Sequence, residues 1–274
     1  MPEGDTIFRA ARTLHRALAG SEVTRFETVL PALSRVDEDS PLAGRTIERV
    51  SSAGKHLLIE FSGGLILRTH MRMNGSWHIY RTGERWRRSR RDMRIVVSTR
   101  QFEAVGFNVP VAEFVTASRI GRHKELAALG PDLLDDAFDA DEALRRLRQR
   151  REMEIGDALL NQRLLSGVGN VYKSEILFAT RTNPFASVGT LTDETLSEIV
   201  ATARRLLTLN VKEGVQPMTT YAGYRRTTRS NDPAQRLWVY GRGGKPCRRC
   251  GATISVRAHG VDARLTYWCP TCQP

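Results

Sequence analysis

The sequence predicts an α+β fold: an N-terminal helix leading into an antiparallel β-sandwich, then a helical half, then a β-hairpin bearing four cysteines. Three observations support it. Between Val23 and Thr116 apolar residues alternate in short runs broken by turn residues, the period of strands with one buried face. From about Ala143 to Val211 the spacing becomes helical. All four cysteines lie at or beyond residue 247.

Ile7, Ala10, Ala11, Leu14 and Leu18 stand at the i, i+3, i+4, i+7 spacing of an amphipathic helix over 6–19. Asp5 or Thr6 is its expected cap and Gly20 its stop. Strands are expected near 23–29, 46–52, 55–61, 65–70, 76–80, 94–98, 102–107 and 111–116. His56 to Phe61, then Ser62-Gly63-Gly64, then Leu65 to Leu67 describe a hairpin. Arg85 to Arg91 is too charged for a core and reads as a loop, solvated or touching phosphate. Residues 119–135 form a polar connector ending in Gly130-Pro131-Asp132. Helical spacing follows at Ala143, Leu144 and Leu147, from Ile155 to Leu165, from Val171 to Ala179 and from Leu196 to Val211. The basic stretch Tyr224 to Arg236 reads as a loop.

With 41% hydrophobic residues the chain is globular, and 274 residues allow two ordinary domains and an appendage. No window approaches the roughly 18 uncharged apolar residues of a membrane span. The N-terminus lacks a charged-then-apolar leader, so a cytoplasmic protein without a membrane partner is expected. Lys and Arg outnumber Asp and Glu by 42 to 30, a net +12. Such a balance points to a polyanionic partner, nucleic acid first.

The opening Met1-Pro2-Glu3-Gly4 bears on chemistry. Removal of Met1 ahead of a small residue leaves Pro2 with a free secondary amine. An α-amine titrates near ~8, below a lysine at about 10.4, so part of it is nucleophilic at cell pH. Its attack on a sugar carbon gives an iminium that can act as an electron sink, and the Glu3 carboxyl can move protons. The helix behind it is expected to aim Pro2 outward. Met-Pro-Glu also begins chains with no catalytic role.

Cys247-x-x-Cys250 and Cys269-x-x-Cys272 in a reducing compartment read as four thiolates on one Zn²⁺. Four thiolates close the coordination sphere, so that metal is structural. Arg257 and Arg264 on the intervening hairpin suit phosphate contact or remain solvated. Gly167-Val168-Gly169-Asn170 lets backbone amides approach a phosphate at a helix start, or Asn170 only caps that helix. Lys55 projects from a hairpin after Gly54, and is either solvated or functional. Met73 faces a core or serves as a wedge filling the gap left by a displaced base. His70 reads as hydrogen-bonded in the sheet.

These pieces, with Trp238-Val239-Tyr240-Gly241-Arg242, resemble the formamidopyrimidine-DNA glycosylase and endonuclease VIII family over essentially the whole chain. The resemblance implies a bifunctional DNA glycosylase and abasic-site lyase of base-excision repair. The expected chain is a monomer with one structural Zn²⁺, associated with the bacterial nucleoid. Its partner is damaged double-stranded DNA, with single-stranded DNA left open. It implies domains at 1–118 (catalytic sandwich), 119–135 (connector), 136–236 (helix-two-turn-helix, DNA-binding) and 237–274 (zinc finger). It makes Pro2 the Schiff-base nucleophile, Glu3 the proton-transferring acid, and Lys55 the lysine at the lesion-side backbone, counted with the catalytic set. Asn170 with Gly169 would grip phosphate, Arg264 would clamp the phosphates beside the everted nucleotide, and Met73 and Phe102 would enter the duplex.

Met-Pro-Glu-Gly and the ending Tyr267-Trp268-Cys269-Pro270 resemble the endonuclease VIII branch, which prefers oxidised pyrimidines. Residues 214–236 do not match the long lid of the formamidopyrimidine enzymes, which favours the same branch. One departure is Thr6, where the family often has a second glutamate; Asp5 lies beside it. Two alternatives stay open: an oxidised-purine substrate, and a non-catalytic zinc-finger DNA-binding factor.

Overall fold

The computed structural model describes residues 2–212, 225–228, 230 and 232–274. The chain forms two compact units, one running to Ala128 and the other starting at Leu129. That boundary falls inside the stretch read as a connector.

The first unit opens with α1 (Gly4–Leu18), whose buried face includes Ile7, Ala10, Ala11, Leu14 and Leu18, the five residues the spacing selects. The strands follow as β1 (Arg25–Thr28), β2 (Ile47–Ala53), β3 (His56–Phe61), β4 (Leu65–His70), β5 (Ser76–Arg81), β6 (Met93–Ser98), β7 (Phe102–Phe107) and β8 (Val111–Thr116). They form two four-stranded antiparallel sheets, ordered β1-β6-β7-β5 and β2-β3-β4-β8. The core holds Leu14 and Leu18 of α1 together with Leu57, Ile59, Phe61, Leu67, Trp77, Ile95 and Val97. Each such large apolar side chain contributes roughly 2 kcal/mol by leaving water. Trp77 satisfies its indole by donating to Thr69 Oγ1 at 3.1 Å.

One element is absent from the sequence reading. A helix, α2 (Pro31–Asp39), follows β1. Proline at its start is favourable, since its missing N–H is one a helix leaves unpaired anyway. Only Leu33 of that helix is buried, so the apolar period is too thin to read. The arginine-rich loop between β5 and β6 is held down by Trp86, whose indole donates to Glu103 Oε2 at 3.1 Å and packs beside Tyr80 and Phe107. A short turn of helix, α3 (Ala117–Ile120), follows β8.

The second unit contains α4 (Ala140–Arg148), α5 (Ile155–Leu160), α6 (Asn170–Ala179), α7 (Asp193–Lys212) and a terminal hairpin of β9 (Ser255–His259) and β10 (Arg264–Trp268). Leu147, Leu159, Tyr172, Ile176, Leu196, Val200 and Leu207 meet in its core. The helix expected from Ile155 to Leu165 stops at Leu160. Gln162 ends it by donating Nε2–H to the carbonyls of Leu160 and Val168, at 2.8 and 3.0 Å, while its Oε1 accepts the Gly167 amide at 3.0 Å. Those bonds fix two tight turns before α6. Among the described residues no helix is long and apolar enough to cross a membrane.

Candidate functional site

At the amino end, Glu3 is the residue that caps α1, and its carbonyl accepts the amides of Thr6 and Ile7 at 3.0 and 3.1 Å. Asp5 and Thr6, the expected caps, therefore lie inside the helix. Asp5 is fully buried, pairs with Arg9 Nη2 at 3.5 Å and accepts from Thr6 Oγ1 at 3.3 Å. The earlier helix start also draws the terminus inward: Pro2 is buried, against the expected outward aim, and Glu3 is 0% exposed. A buried carboxyl so placed is a group whose presence demands partners or chemistry.

Lys55 and Gly54 form the two-residue turn between β2 and β3, and the Lys55 side chain is half-buried. Its ammonium is one of the charges felt by His70. Burial first, then Arg72, Lys55 and Arg68, bring His70 down to about 4. His56, paired with His70 across β3 and β4 with ring centres 4.8 Å apart, is pushed down to about 3 by burial first and then Arg68. Both imidazoles are thus neutral at neutral pH. His70 Nδ1 accepts the Arg72 amide at 3.0 Å, which ties down the loop carrying Met73. Met73 is 55% exposed, so the core-facing alternative fails for it. Phe102 starts β7 and, half-buried, packs against the sandwich core.

In the second unit Gly169 is the cap of α6 and Asn170 its first residue. Asn170 Nδ2 donates to the Leu265 carbonyl at 2.8 Å, while Oδ1 is buried with no hydrogen-bond partner. The amide therefore fastens α6 to β10, beside Arg264. Arg264 is partly exposed and lies 3.5 Å from Asp262 Oδ2. Arg257 stacks on Phe185, 3.6 Å from the ring centre. Gly130 packs so tightly on the two-turn segment that a β-carbon there would lie 2.6 Å from the Leu164 carbonyl, which excludes any other residue.

Sequence reasoning missed Lys173 and Glu175. Both are fully buried on α6, where nine of the ten residues are buried. Lys173 Nζ donates to Thr266 Oγ1 at 2.6 Å. Glu175 accepts three successive amides, from Trp238, Val239 and Tyr240, at 2.8–2.9 Å, as well as the Thr227 hydroxyl. The signal was available: a helix with no polar face that still carries a lysine and a glutamate must pair both.

The four cysteines come together, with one sulfur from each within 4.8 Å of the others. Cys250 and Cys269 Sγ lie 3.5 Å apart, far beyond a disulfide at about 2.05 Å. Four sulfurs each about 2.3 Å from a tetrahedral Zn²⁺ lie about 3.8 Å apart, so the cluster fits the metal. The Ala252 amide brings the Cys250 thiol down to about 7, while burial pushes Cys272 up to about 12. The stretch 214–236, read as not matching a long lid, lies in large part outside the described residues, as do Tyr224 and Arg229 of the basic stretch read as a loop.

A sandwich with a buried Pro-Glu terminus, a helix pair joined by two turns and a four-cysteine hairpin, in that order, define a protein of the helix-two-turn-helix class. Comparison with known proteins agrees. Residues 1–110 match the formamidopyrimidine-DNA glycosylase N-terminal domain, 129–221 its H2TH domain, and 244–274 the zinc finger found in FPG and IleRS. A probable endonuclease 8 from Streptomyces coelicolor is 40% identical over 100% of this chain and 94% of its own. A DNA-(apurinic or apyrimidinic site) lyase from Mycolicibacterium smegmatis is 38% identical over 100% and 99%. The structure of Lactococcus lactis Fpg with abasic-site DNA superposes with a TM-score of 0.82 over 99% of each chain at 24% identity, a likeness of fold. The chain belongs to the formamidopyrimidine-DNA glycosylase and endonuclease VIII family.

Proposed function

We propose that this protein is a DNA glycosylase and abasic-site lyase of base-excision repair that removes oxidised pyrimidines. The observation that carries the reading is the Pro2-Glu3 terminus, seated by α1 on the sandwich, in a chain whose curated relatives bear endonuclease 8 and abasic-site lyase names. Those names, with the Met-Pro-Glu-Gly opening, support the pyrimidine branch. The amino end of Pro2, freed of Met1, attacks C1′ of the damaged nucleotide and the base departs, with Glu3 assisting the proton transfers. The resulting iminium acidifies the C2′ proton. Its loss expels the 3′ phosphate by β-elimination, and a second elimination expels the 5′ phosphate, leaving a one-nucleotide gap with phosphate at both ends. Lys55 contacts the backbone beside the lesion, and the exposed Met73 fills the vacancy in the duplex.

Asn170, Gly169 and Arg264 contact phosphates, a binding mode that weakens steeply with salt. The Asn170 bond to Leu265 supports joint action, since it joins α6 to the strand carrying Arg264. One Zn²⁺ on the four cysteines holds the hairpin in shape and takes no part in the chemistry.

Borohydride trapping on a dihydrouracil duplex tests the reading. Wild type should give a covalent band. Pro2→Ala should trap far less, and a chain extended before Pro2, whose proline nitrogen is then an amide, should give none. A band only on a pre-formed abasic site would move the substrate away from pyrimidines. No band on either duplex would leave a DNA-binding factor without turnover.

A further inference from the structure

We propose that Glu154, Asp157 and His259 form a second divalent-cation site, of zinc type, separate from the four cysteines. The three residues come from two segments far apart in sequence. Glu154 directly precedes α5 and Asp157 lies three residues on, in the helix's first turn, so both carboxylates face the same side. His259 ends β9. Its Nε2 meets Glu154 Oε2 in a short contact and lies 3.7 Å from Asp157 Oδ1. One donor atom from each of the three lies within 4.8 Å of the others.

The backbone is cut back to allow this convergence. A β-carbon at Gly156 would fall 2.6 Å from His259 Cε1. At Gly260, whose φ is +68°, one would fall 2.3 Å from Asp157 Oδ1. The imidazole is also oriented from behind. Thr266 Oγ1 lies 3.1 Å from His259 Nδ1 and accepts from Lys173 Nζ at 2.6 Å. A second lone pair on that hydroxyl can take Nδ1–H, the tautomer that leaves Nε2 bare, as in histidines that ligate metals. The far face of the ring packs on Phe185, 4.9 Å between centres.

The donor set fits the ion. One imidazole nitrogen and two carboxylate oxygens suit Zn²⁺, and the two negative charges neutralise a dication. The His259 side chain is 3% exposed, whereas Glu154 and Asp157 are 39% and 32% exposed, so solvent can supply a fourth ligand. The bound ion ties β9 to α5 by a bond that a proton between Glu154 and His259 replaces in its absence.

Equilibrium dialysis of the zinc-loaded protein against zinc ions, with bound metal counted by plasma mass spectrometry, tests the site. Wild type should bind one zinc beyond that of the four cysteines. Glu154→Gln and Asp157→Asn, singly and together, should abolish that extra binding while retaining the finger's own zinc; Gln keeps an acceptor for the imidazole. Cobalt in place of the extra zinc should give only weak visible absorption, without the strong near-ultraviolet band of thiolate ligands. A wild type that takes up no extra zinc, or variants that take it up equally, would overturn the site and leave a hydrogen-bonded clasp. Neither result touches the glycosylase reading, which the trapping experiment tests.

Discussion

The two units bury their charges in different ways. In the first, Glu3, Asp5 and Arg9 lie buried at the start of α1 and Arg68 and His56 in the sheet β2-β3-β4-β8, with partners close in sequence or across the sheet, while the packing between layers is leucine, isoleucine, phenylalanine and tryptophan. In the second, α6 carries Asn170, Lys173 and Glu175 in its buried length, and each reaches a segment some 60 to 95 residues away: Leu265, Thr266 and the amides of 238–240. The first unit is held chiefly by apolar area, which is non-directional and tolerant. The second has an apolar core of its own but adds to it a few specific polar bonds and thiols, which fail abruptly when one partner is removed. The unit with the proposed nucleophile should therefore survive insults that release the unit proposed to hold phosphate.

The largest effect that separates them is loss of the finger metal. Zinc binding by four thiolates supplies on the order of 10 kcal/mol of folding free energy to such a module. Cys269→Ser should unfold the hairpin and lower duplex affinity at least about a hundredfold, by the loss of several phosphate contacts. Hydrogen exchange should still find β3 and β4 protected; their loss of protection would break the comparison. Next comes Glu175→Ala. It strands three buried amides, each worth about 1–3 kcal/mol, and should cost roughly 3–5 kcal/mol in the second unit alone. Denaturant unfolding followed unit by unit reads this, and an equal loss in the first unit would contradict it.

All eight strands of the sandwich were legible in the sequence, and so was the buried face of α1, because one-sided burial imprints a period of two or 3.6 on the apolar residues. The four cysteines were legible because metal geometry fixes their spacing. Other features left no such trace. α2 buries one leucine, so it has no face to betray it, and α6, expected from Val171 to Ala179, is buried all round, so its spacing showed a helix without showing which partners its polar residues take. Glu3 caps α1 with its carbonyl, not its side chain, which makes the cap invisible to residue type and hid the burial of Pro2. Glu175 and Lys173 find partners beyond residue 226, a pairing that only the fold reveals.

Acid should separate the units more gently. His56 is held at about 3 against an ordinary 6.5, chiefly by burial. The unfolded chain takes the proton more readily, so this histidine's contribution is complete above pH 6.5 and is lost as the pH falls towards 3. About 2 kcal/mol should be gone by pH 5. His56→Gln should lessen the pH dependence of the first unit's stability between pH 6.5 and 5, while His70 and His78, each also held down to about 4, keep their share; an unchanged slope would place the effect elsewhere.

Arg264→Ala should have the smallest effect, about tenfold in duplex affinity, or about 1.4 kcal/mol. Its guanidinium stands at the start of β10, partly exposed and 3.5 Å from the Asp262 carboxylate. A group that holds phosphate reads no base, so damaged and undamaged duplexes should weaken together and the salt dependence should fall by about one phosphate contact. Loss confined to one lesion would instead assign Arg264 to base recognition. Discrimination would then belong partly to the second unit, and the division between a reacting unit and a gripping unit would have to be redrawn.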